Sequence, residues 1–176
     1  SNGYSSDFFG CSVSISGDYA IAGAYNRSTY GRAYIFHNDS GTWRQQAELK
    51  PSDSSANREF GFRVSISGDY AIVGDQYECS DGTSYSGAAY IFHNESGTWT
   101  EQAKLKASDP DSFDYFGSYV SIYGDYAIVG ANGDENESEY NSGAAYIFHN
   151  DSGTWTEQAK LKASDPGASD YFGSSV

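Results

Sequence analysis

Ten carboxylates lie between the recurring apolar stretches of this sequence, where they are candidate calcium ligands or acid–base groups. They are Asp75, Glu78, Asp81, Asp109, Asp111, Asp114, Asp134, Glu135, Glu137 and Glu139. Asp134, Asn136 and Ser138 resemble the first half of a calcium loop, which takes oxygen ligands from alternate residues. The sixth position lacks glycine and the twelfth lacks an acid. Calcium is therefore only a weak candidate, no cofactor is required, and the simpler interpretation is a solvated acidic loop.

Five Asn-x-Ser sequons are candidate N-glycosylation sites. They begin at Asn26, Asn38, Asn94, Asn136 and Asn150. The second, third and fifth share one repeat position, so occupied sequons would place a row of N-linked glycans on one face. The alternative is that Asn-Asp/Glu-Ser-Gly is favourable turn chemistry. A glycan on Asn136 would also remove that side chain as a calcium ligand.

Cysteine and histidine give weaker indications of chemistry. Cys11 and Cys79 are too few for a disulfide scaffold, but they are a candidate bridge between neighbouring repeats. Free thiols are the alternative. His37, His93 and His149 recur at one position, and equivalent positions in successive blades would diverge, so we expect a structural role. The sequence contains no nucleophile elbow, zinc pair, P-loop or dinucleotide fingerprint, and we predict no catalytic site.

Charge and hydropathy exclude several partner classes. The 24 acidic and 10 basic residues give a net charge of −14. Nucleic acid and anionic membrane surfaces are therefore poor partners. The sequence has no apolar run long enough to cross a bilayer and no signal-peptide pattern, so we expect no membrane insertion and any export signal to lie outside this chain. With 16 Tyr, 10 Phe and 20 Gly, the composition is that of a turn-rich all-β protein.

Repeats provide the framework for these residues. Phe-Gly pairs at Phe9, Phe60, Phe116 and Phe172 are spaced by 51, 56 and 56 residues, a period typical of propeller blades. We predict blade repeats at 1–56, 57–112 and 113–168, and the first strand of a fourth at 169–176. The segment from Gly87 to Pro110 returns from Gly143 to Pro166 with one substitution.

Each repeat contains four strand signals, A to D, separated by tight turns. Strand A is rich in serine, which suits a crowded inner position. Strand D begins at Trp43, Trp99 and Trp155, and alternation places Gln102 and Lys104 in water. A lysine-bearing outer strand would discourage edge-to-edge aggregation. Up-and-down order puts the A–B and C–D turns on one rim and the variable B–C and acidic D–A connections on the other.

The combination of Phe-Gly-x-x-Val-Ser-Ile, Ala-Ile-Val-Gly-Ala and Gly-Ala-Ala-Tyr-Ile-Phe resembles the FG-GAP repeat family over essentially the whole chain. That family includes the propeller of integrin α subunits and many bacterial and archaeal surface proteins. The resemblance implies four-stranded antiparallel blades and extracellular adhesion or assembly. The calcium loop of integrin-type repeats is reduced here to Ser-Gly-Asp (Ser16–Asp18, Ser67–Asp69) or Tyr-Gly-Asp (Tyr123–Asp125), so that metal site is not carried over.

These observations predict an all-β, partial β-propeller of three blades, or a part of a larger array or assembly. We expect a non-enzymatic, extracellular or cell-surface module for adhesion or structural assembly, in a larger propeller or a filament. Its partners would be further blades or copies of itself, with a protein or polysaccharide ligand on the acidic rim. The alternative is part of a propeller lyase or glycosidase acting on polysaccharide. Asp134 and Glu137 are a weak basis for it, because glycosidase carboxylates lie about 5–9.5 Å apart across a cleft.

Overall fold

A computed structural model describes residues 7–25, 31–53, 59–79, 82–135 and 139–176. Twelve strands lie in these ranges: β1 Val13–Ser16, β2 Tyr19–Ala24, β3 Arg32–Asp39, β4 Thr42–Leu49, β5 Arg63–Ser67, β6 Tyr70–Asp75, β7 Ala88–Glu95, β8 Thr98–Leu105, β9 Phe116–Tyr123, β10 Tyr126–Ala131, β11 Ala144–Asp151 and β12 Thr154–Leu161. They form three four-stranded antiparallel sheets in sequential order, which we call blade 1 (β1–β4), blade 2 (β5–β8) and blade 3 (β9–β12). The all-β class and the blade architecture are confirmed, and the blades do not close into a ring. No helix in the described ranges is long and apolar enough to cross a bilayer.

Two-residue turns join strands A and B and strands C and D of each blade. In the C–D turn of blade 1, Ser40 and Gly41 have φ values of 52° and 89°, as a type I′ turn requires. Ser96-Gly97 and Ser152-Gly153 repeat this geometry. The amide of Asn38 donates to the carbonyl of Asp18 at 2.8 Å, so both kinds of turn lie on one rim, the turn rim. The B–C and D–A connections form the opposite, connection rim.

The apolar core lies between the blades. One cluster joins Ile21, Ile35 and Leu49 of blade 1 to the side chains of blade 2 that face them. A second cluster joins Ile72, Ile91 and Leu105 of blade 2 to blade 3. A four-stranded sheet of this kind needs a neighbour on each face to bury its apolar side chains.

Phe-Gly and Gly-Ala recur because successive blades approach closely there. Phe60 packs against Tyr90 and Phe92 of its own blade, with ring centroids 5.5 and 6.1 Å apart. The carbonyl oxygen of the following Gly61 reaches blade 1, where a Cβ added to Gly23 would lie 2.0 Å from it. Glycine at this point of strand B is therefore a steric requirement.

Strand D departs from the predicted alternation. In blade 2, Ile91 pairs with Ala103 and Phe92 pairs with Glu101, so Gln102 is the extra residue of a β-bulge. Blades 1 and 3 have the same bulge. Gln102 is only half-exposed, and Lys104 is largely buried. The prediction that both face water was wrong, because one inserted residue changes which face the following side chains occupy.

Candidate functional site at the blade junctions

Serine hydroxyls of strand A bond to the next blade. Those of Ser12, Ser14 and Ser16 accept hydrogen bonds from the backbone amides of Val64, Ile66 and Gly68, at 3.1, 3.3 and 3.1 Å. Strand A is the inner edge of its sheet, so these N–H groups have no partner strand. Serine at alternate positions thus supplies the missing acceptors from the preceding blade.

The bulge in strand D positions a second contact between blades. Trp99 donates through Nε1 to the side-chain oxygen of Gln46 at 3.1 Å. Trp155 bonds in the same way to Gln102 at 2.9 Å. Each glutamine is the bulged residue of its strand, so the bulge aims it at the tryptophan of the following blade.

The sequon asparagines form a third contact. Nδ2 of Asn94 donates to the hydroxyl of Tyr19 in blade 1 at 3.0 Å and to Asp69 at 3.2 Å, while its oxygen accepts from Gly97 N at 2.8 Å. Asn150 bonds to Tyr70 at 3.1 Å. Both side chains are buried. A glycan on either Nδ2 would displace these bonds, so the geometry favours the turn interpretation there.

The other three sequons differ from these two. Asn38 is half-exposed, and its Nδ2 contacts Asp18 at 3.2 Å. Asn26 and Asn136 lie outside the described residues. Asn38 is therefore the most accessible of the three sequon asparagines at the C–D turns.

The D–A connection bonds to the outer strands of the blade it enters. Ser52 contacts Glu101 through both its amide and its hydroxyl, at 2.8 Å each. Asp53 accepts from the hydroxyl of Tyr90 at 2.9 Å and pairs with the ammonium of Lys104 at 2.5 Å. The equivalent bonds at the next junction join Ser108 to Glu157 and Asp109 to Tyr146 and Lys160.

Several carboxylates of the acidic rim are buried in ion pairs, contrary to the prediction that these loops are solvated. Glu78 is fully buried and lies 3.1 Å from Lys104 and 3.1 Å from Lys106. Asp134 is 2% exposed and pairs with Lys160 at 2.6 Å. Asp75 and Asp114 are also buried. Desolvation makes such charges costly unless they are paired, and lysines in strand D or directly after it provide the pairing.

The pKa shifts in blade 3 follow from these contacts. Burial alone would raise the pKa of Asp109, but hydrogen bonds from Lys160 and Tyr146 hold it below its usual value. Burial likewise opposes the charge on Lys160, and its bonds to Asp109 and Asp134 raise its pKa instead. The pKa of Tyr146 is raised by burial and by the charge of Asp134. At neutral pH the ionised carboxylate of Asp109 therefore faces the ammonium of Lys160.

Asp114 lacks such a cation contact. Burial raises its pKa to about 6, with the charges of Asp134 and Asp111 adding to the effect. Its carboxylate accepts one bond, from the amide of Asp111 at 2.7 Å. The protonation of Asp114 therefore changes at a pH of about 6.

Of the three calcium candidates, Asp134 lies in the described residues. Lys160 holds one oxygen of Asp134, so an ammonium takes the position beside that carboxylate that a cation would need. Asn136 and Ser138 lie outside the described residues, and no cluster of three or more metal-ligating side chains was found in the remainder.

Cys11 and Cys79 are free thiols, so the candidate disulfide is not formed in the structure. The sulfur of Cys11 lies 3.4 Å from the carbonyl oxygen of Gly61 at the first junction, and burial raises its pKa. Cys79 is exposed in the B–C connection of blade 2.

The three histidines pack against tyrosines of their own blades. The His37, His93 and His149 rings lie 4.8, 4.5 and 4.7 Å from the rings of Tyr19, Tyr70 and Tyr126. These contacts give the histidines a packing role on the turn rim.

Comparison with protein families identifies the repeat. The FG-GAP repeat model matches residues 1–36, 43–92, 99–148 and 155–176. The chain belongs to the FG-GAP repeat family. A comparison with curated proteins gave no significant match. The second and third FG-GAP matches begin in strand D of one blade and end in strand C of the next, so each spans a junction.

The two ends of the FG-GAP blade row expose surfaces that are buried at the internal junctions. Ile15 and Trp43 of blade 1 are 67% and 43% exposed, whereas their equivalents Ile66 and Trp99 are 4% and 9% exposed. On blade 3, Leu161 is exposed and its equivalent Leu105 is buried. The outer faces of blades 1 and 3 thus each carry one half of a blade junction.

Alternation and repeat position located the serines, tryptophans and asparagines, but not their partners. The partners lie 52 to 80 residues away in a neighbouring repeat, and the periodicity of a single strand contains no information about them. The signal that was available is repetition in phase: Gln46 and Trp99 are 53 residues apart, and so are Gln102 and Trp155.

Proposed function

We propose that this chain is a non-enzymatic, extracellular module that works by packing with further FG-GAP blades, in a larger propeller or a filament. The supporting observation is the pair of exposed half-junctions on blades 1 and 3. Each has the shape, apolar character and hydrogen-bonding groups of a junction that is already made twice within the chain. An exposed apolar face of this kind is typical of an interaction surface.

Burial of the acidic groups supports a structural role over catalysis. The enzyme alternative needs a carboxylate pair, and Asp134 is bonded to Lys160 and Tyr146. Glu137 lies outside the described residues. The carboxylates of the clusters described above serve to hold the D–A connections on the following blades.

The connection rim is the surface that we assign to adhesion. Tyr85 and Phe113 are exposed there, with ring centroids 5.6 Å apart, beside Tyr77 and Tyr115. Aromatic rings next to carboxylates suit a protein or a neutral polysaccharide partner. Binding of extracellular proteins and polysaccharides should weaken in Tyr85→Ala and Phe113→Ala chains whose thermal midpoint is unchanged, and unaltered binding would exclude this surface.

A tandem extension tests the packing function. Inserting a second copy of residues 113–168 after position 168 supplies a fourth blade for the exposed face of blade 3. The extended chain should unfold in one transition at a higher urea midpoint than the original chain, because Leu161 and Tyr126 become buried. A second, independent transition or an unchanged midpoint would refute the proposal.

A further inference from the structure

Four aromatic rings on the connection rim form a closed cycle of contacts, which we call the aromatic cage. The ring of Tyr77 contacts those of Tyr85 and Tyr115, with centroids 5.0 and 5.9 Å apart. Phe113 closes the cycle by contacting the same two rings, at 5.6 and 6.3 Å. Tyr85 and Phe113 are 40% and 48% exposed, so the cage is open to solvent on their side.

Backbone hydrogen bonds hold the cage in place. The amide of Phe113 donates to the carbonyl of Ser84 at 2.8 Å, and that of Tyr115 donates to the carbonyl of Tyr85 at 3.1 Å. The amide of Gly133 donates to the carbonyl of the intervening Asp114 at 3.0 Å. The D–A connection that carries two of the rings is thus bonded to the B–C connections of blades 2 and 3. A site fixed in this way loses little conformational entropy when a ligand binds.

Three of the four cage residues have a left-handed backbone. The φ values of Tyr85, Phe113 and Tyr115 are 57°, 72° and 57°. Bulky side chains seldom adopt this conformation, because their Cβ crowds the backbone. Strain of this kind is commonly found where a ligand is held.

The next connection has the same backbone without these rings. Asn141 and Ser169 take the places of Tyr85 and Phe113 in the repeat, with φ values of 53° and 65°. The amide of Ser169 donates to the carbonyl of Tyr140 at 2.8 Å, the length of the equivalent bond made by Phe113. Small polar residues are therefore sufficient to build this connection, and the aromatic side chains serve some other purpose.

Negative charge surrounds the cage. The carboxylate of Glu59 accepts a hydrogen bond at 2.8 Å from the side chain of Gln76, which precedes Tyr77. Burial raises the pKa of Tyr77, and the charge of Glu59 adds to the effect. Asp111 is exposed two residues before Phe113. With a net charge of −14, the chain attracts cations to this rim and repels anions.

The geometry favours a compact organic cation over other ligands. The face of an aromatic ring attracts a cation within about 6 Å of its centroid, and the centre of this cycle is within that distance of all four rings. A calcium ion would need six to eight oxygen ligands, and a primary ammonium would need acceptors for three N–H groups. A quaternary ammonium needs neither. Neighbouring rings are tilted by 54–65°, so they form no flat platform for the face of a neutral sugar.

We propose that the aromatic cage binds a quaternary ammonium group carried by the partner of the connection rim. This inference rests on the proposed adhesion function of that rim. The methyl groups of the ligand contact the ring faces, and its charge is balanced by the rings and the nearby carboxylates. In the described ranges, the chain's own cations lie over other rings, namely those of Phe62, Tyr90, Tyr119 and Tyr146.

Titration calorimetry of the full chain with choline tests the proposal. The matched probe is 3,3-dimethylbutan-1-ol, which has the shape of choline but a neutral carbon in place of the charged nitrogen. Choline should bind at least about tenfold more tightly than this alcohol, because only the cation is attracted by the ring faces. Equal affinities, or no binding of choline, would overturn the proposal.

Variants show whether the cage is the site. The double variant Tyr85→Asn and Phe113→Ser has the residues that the next connection carries at the same φ, so its thermal midpoint should be unchanged while choline binding weakens at least about tenfold. Tyr85→Phe keeps the ring and should recover the affinity that Tyr85→Asn loses. Tyr123→Ala is the control, because Tyr123 is 85% exposed on the turn rim. Undiminished choline binding by the double variant would contradict the proposal.

A direct measurement covers a double variant that fails to fold. Choline must then shift the ring-proton resonances of Phe113 in the original chain, and unshifted resonances overturn the proposal. Trimethyllysine is a second probe of the same chemistry. Binding of either compound supports the proposal, and the tighter of the two indicates which group the partner carries.

Failure of this inference is distinguishable from failure of the adhesion function. Loss of binding to an extracellular partner in the Tyr85→Ala and Phe113→Ala chains, with neither ammonium compound bound by the original chain, would leave adhesion intact and remove only the quaternary ammonium. Tighter binding of the neutral disaccharide cellobiose than of choline would have the same meaning.

Discussion

Asn94 and Asn150 make a turn and a blade junction with the same side chain. The oxygen caps the type I′ turn by accepting from Gly97 or Gly153, while Nδ2 reaches the tyrosine of the preceding blade. A sequon and a structural asparagine have the same local sequence, so position alone does not distinguish them. The burial of the amide does, because a glycan on Nδ2 would replace one of its N–H donors and would need space that the preceding blade occupies.

Asn94→Asp should destabilise the fold more than Asn38→Asp. The new carboxylate at position 94 loses the donor to Tyr19 and faces Asp69 in a buried setting, with a cost of about 2–3 kcal/mol. Asn38 is half-exposed and contacts only Asp18 through Nδ2, so its substitution should cost less. Urea unfolding measures both, and equal costs would contradict the junction role of Asn94.

Asp114 makes stability depend on pH in the opposite sense from Asp109. Because the pKa of Asp114 is raised to about 6 in the fold, the unfolded state ionises first, and its contribution to stability falls as pH rises from about 4 to 6. Asp109, whose pKa is lowered, contributes above its unfolded pKa and loses that contribution as pH falls. Asp114→Asn should therefore stabilise the chain at pH 7.5 by roughly 1–3 kcal/mol and have almost no effect at pH 4.

The control for that measurement is Asp125→Asn on the turn rim, where the side chain is exposed. It should change stability by a similar small amount at both pH values. A gain from Asp114→Asn that is the same at pH 4 and pH 7.5 would show that titration of this carboxyl is not the cause.

At the scale of the element, strand A depends on the blade before it. Ser65→Ala removes the acceptor that caps the amide of Ile122, at 3.3 Å, and should cost about 1 kcal/mol. Ser121 has the same position in blade 3 and faces the open end, so Ser121→Ala should be neutral in this chain. Chemical denaturation of the two variants checks the difference, and equal costs would show that the hydroxyl acts within its own strand.

The elements were predictable where local chemistry determines them. Alternation predicted strands A to C, the Asn-Asp/Glu-Ser-Gly segments predicted the turns between strands C and D, and the Phe-Gly spacing predicted the blades. The bulge at Gln102 was not predictable from one strand, because the bulged side chain bonds to Trp155, which lies 53 residues away in the next blade. The burial of Glu78 and Asp134 was missed for the same reason. The sequence of a loop with buried, paired carboxylates looks like that of a solvated acidic loop, and only the fold shows which lysines pair with them.

At the scale of the whole molecule, the exposed fractions of three equivalent isoleucines in strand A show which blades have a preceding blade packed against them. Ile66 and Ile122 are 4% exposed beneath blades 1 and 2, whereas Ile15 is exposed. Ile66→Ala and Ile122→Ala should cost about 2–4 kcal/mol each, while Ile15→Ala should change stability by less than about 0.5 kcal/mol.

The same Ile15→Ala substitution should become as costly as the others once another blade is fused before residue 7, because that blade would bury the Ile15 side chain. Urea midpoints of the three variants, with and without the fused blade, measure this. A cost for Ile15→Ala that stays small in the fused chain would show that the outer face of blade 1 does not form a junction.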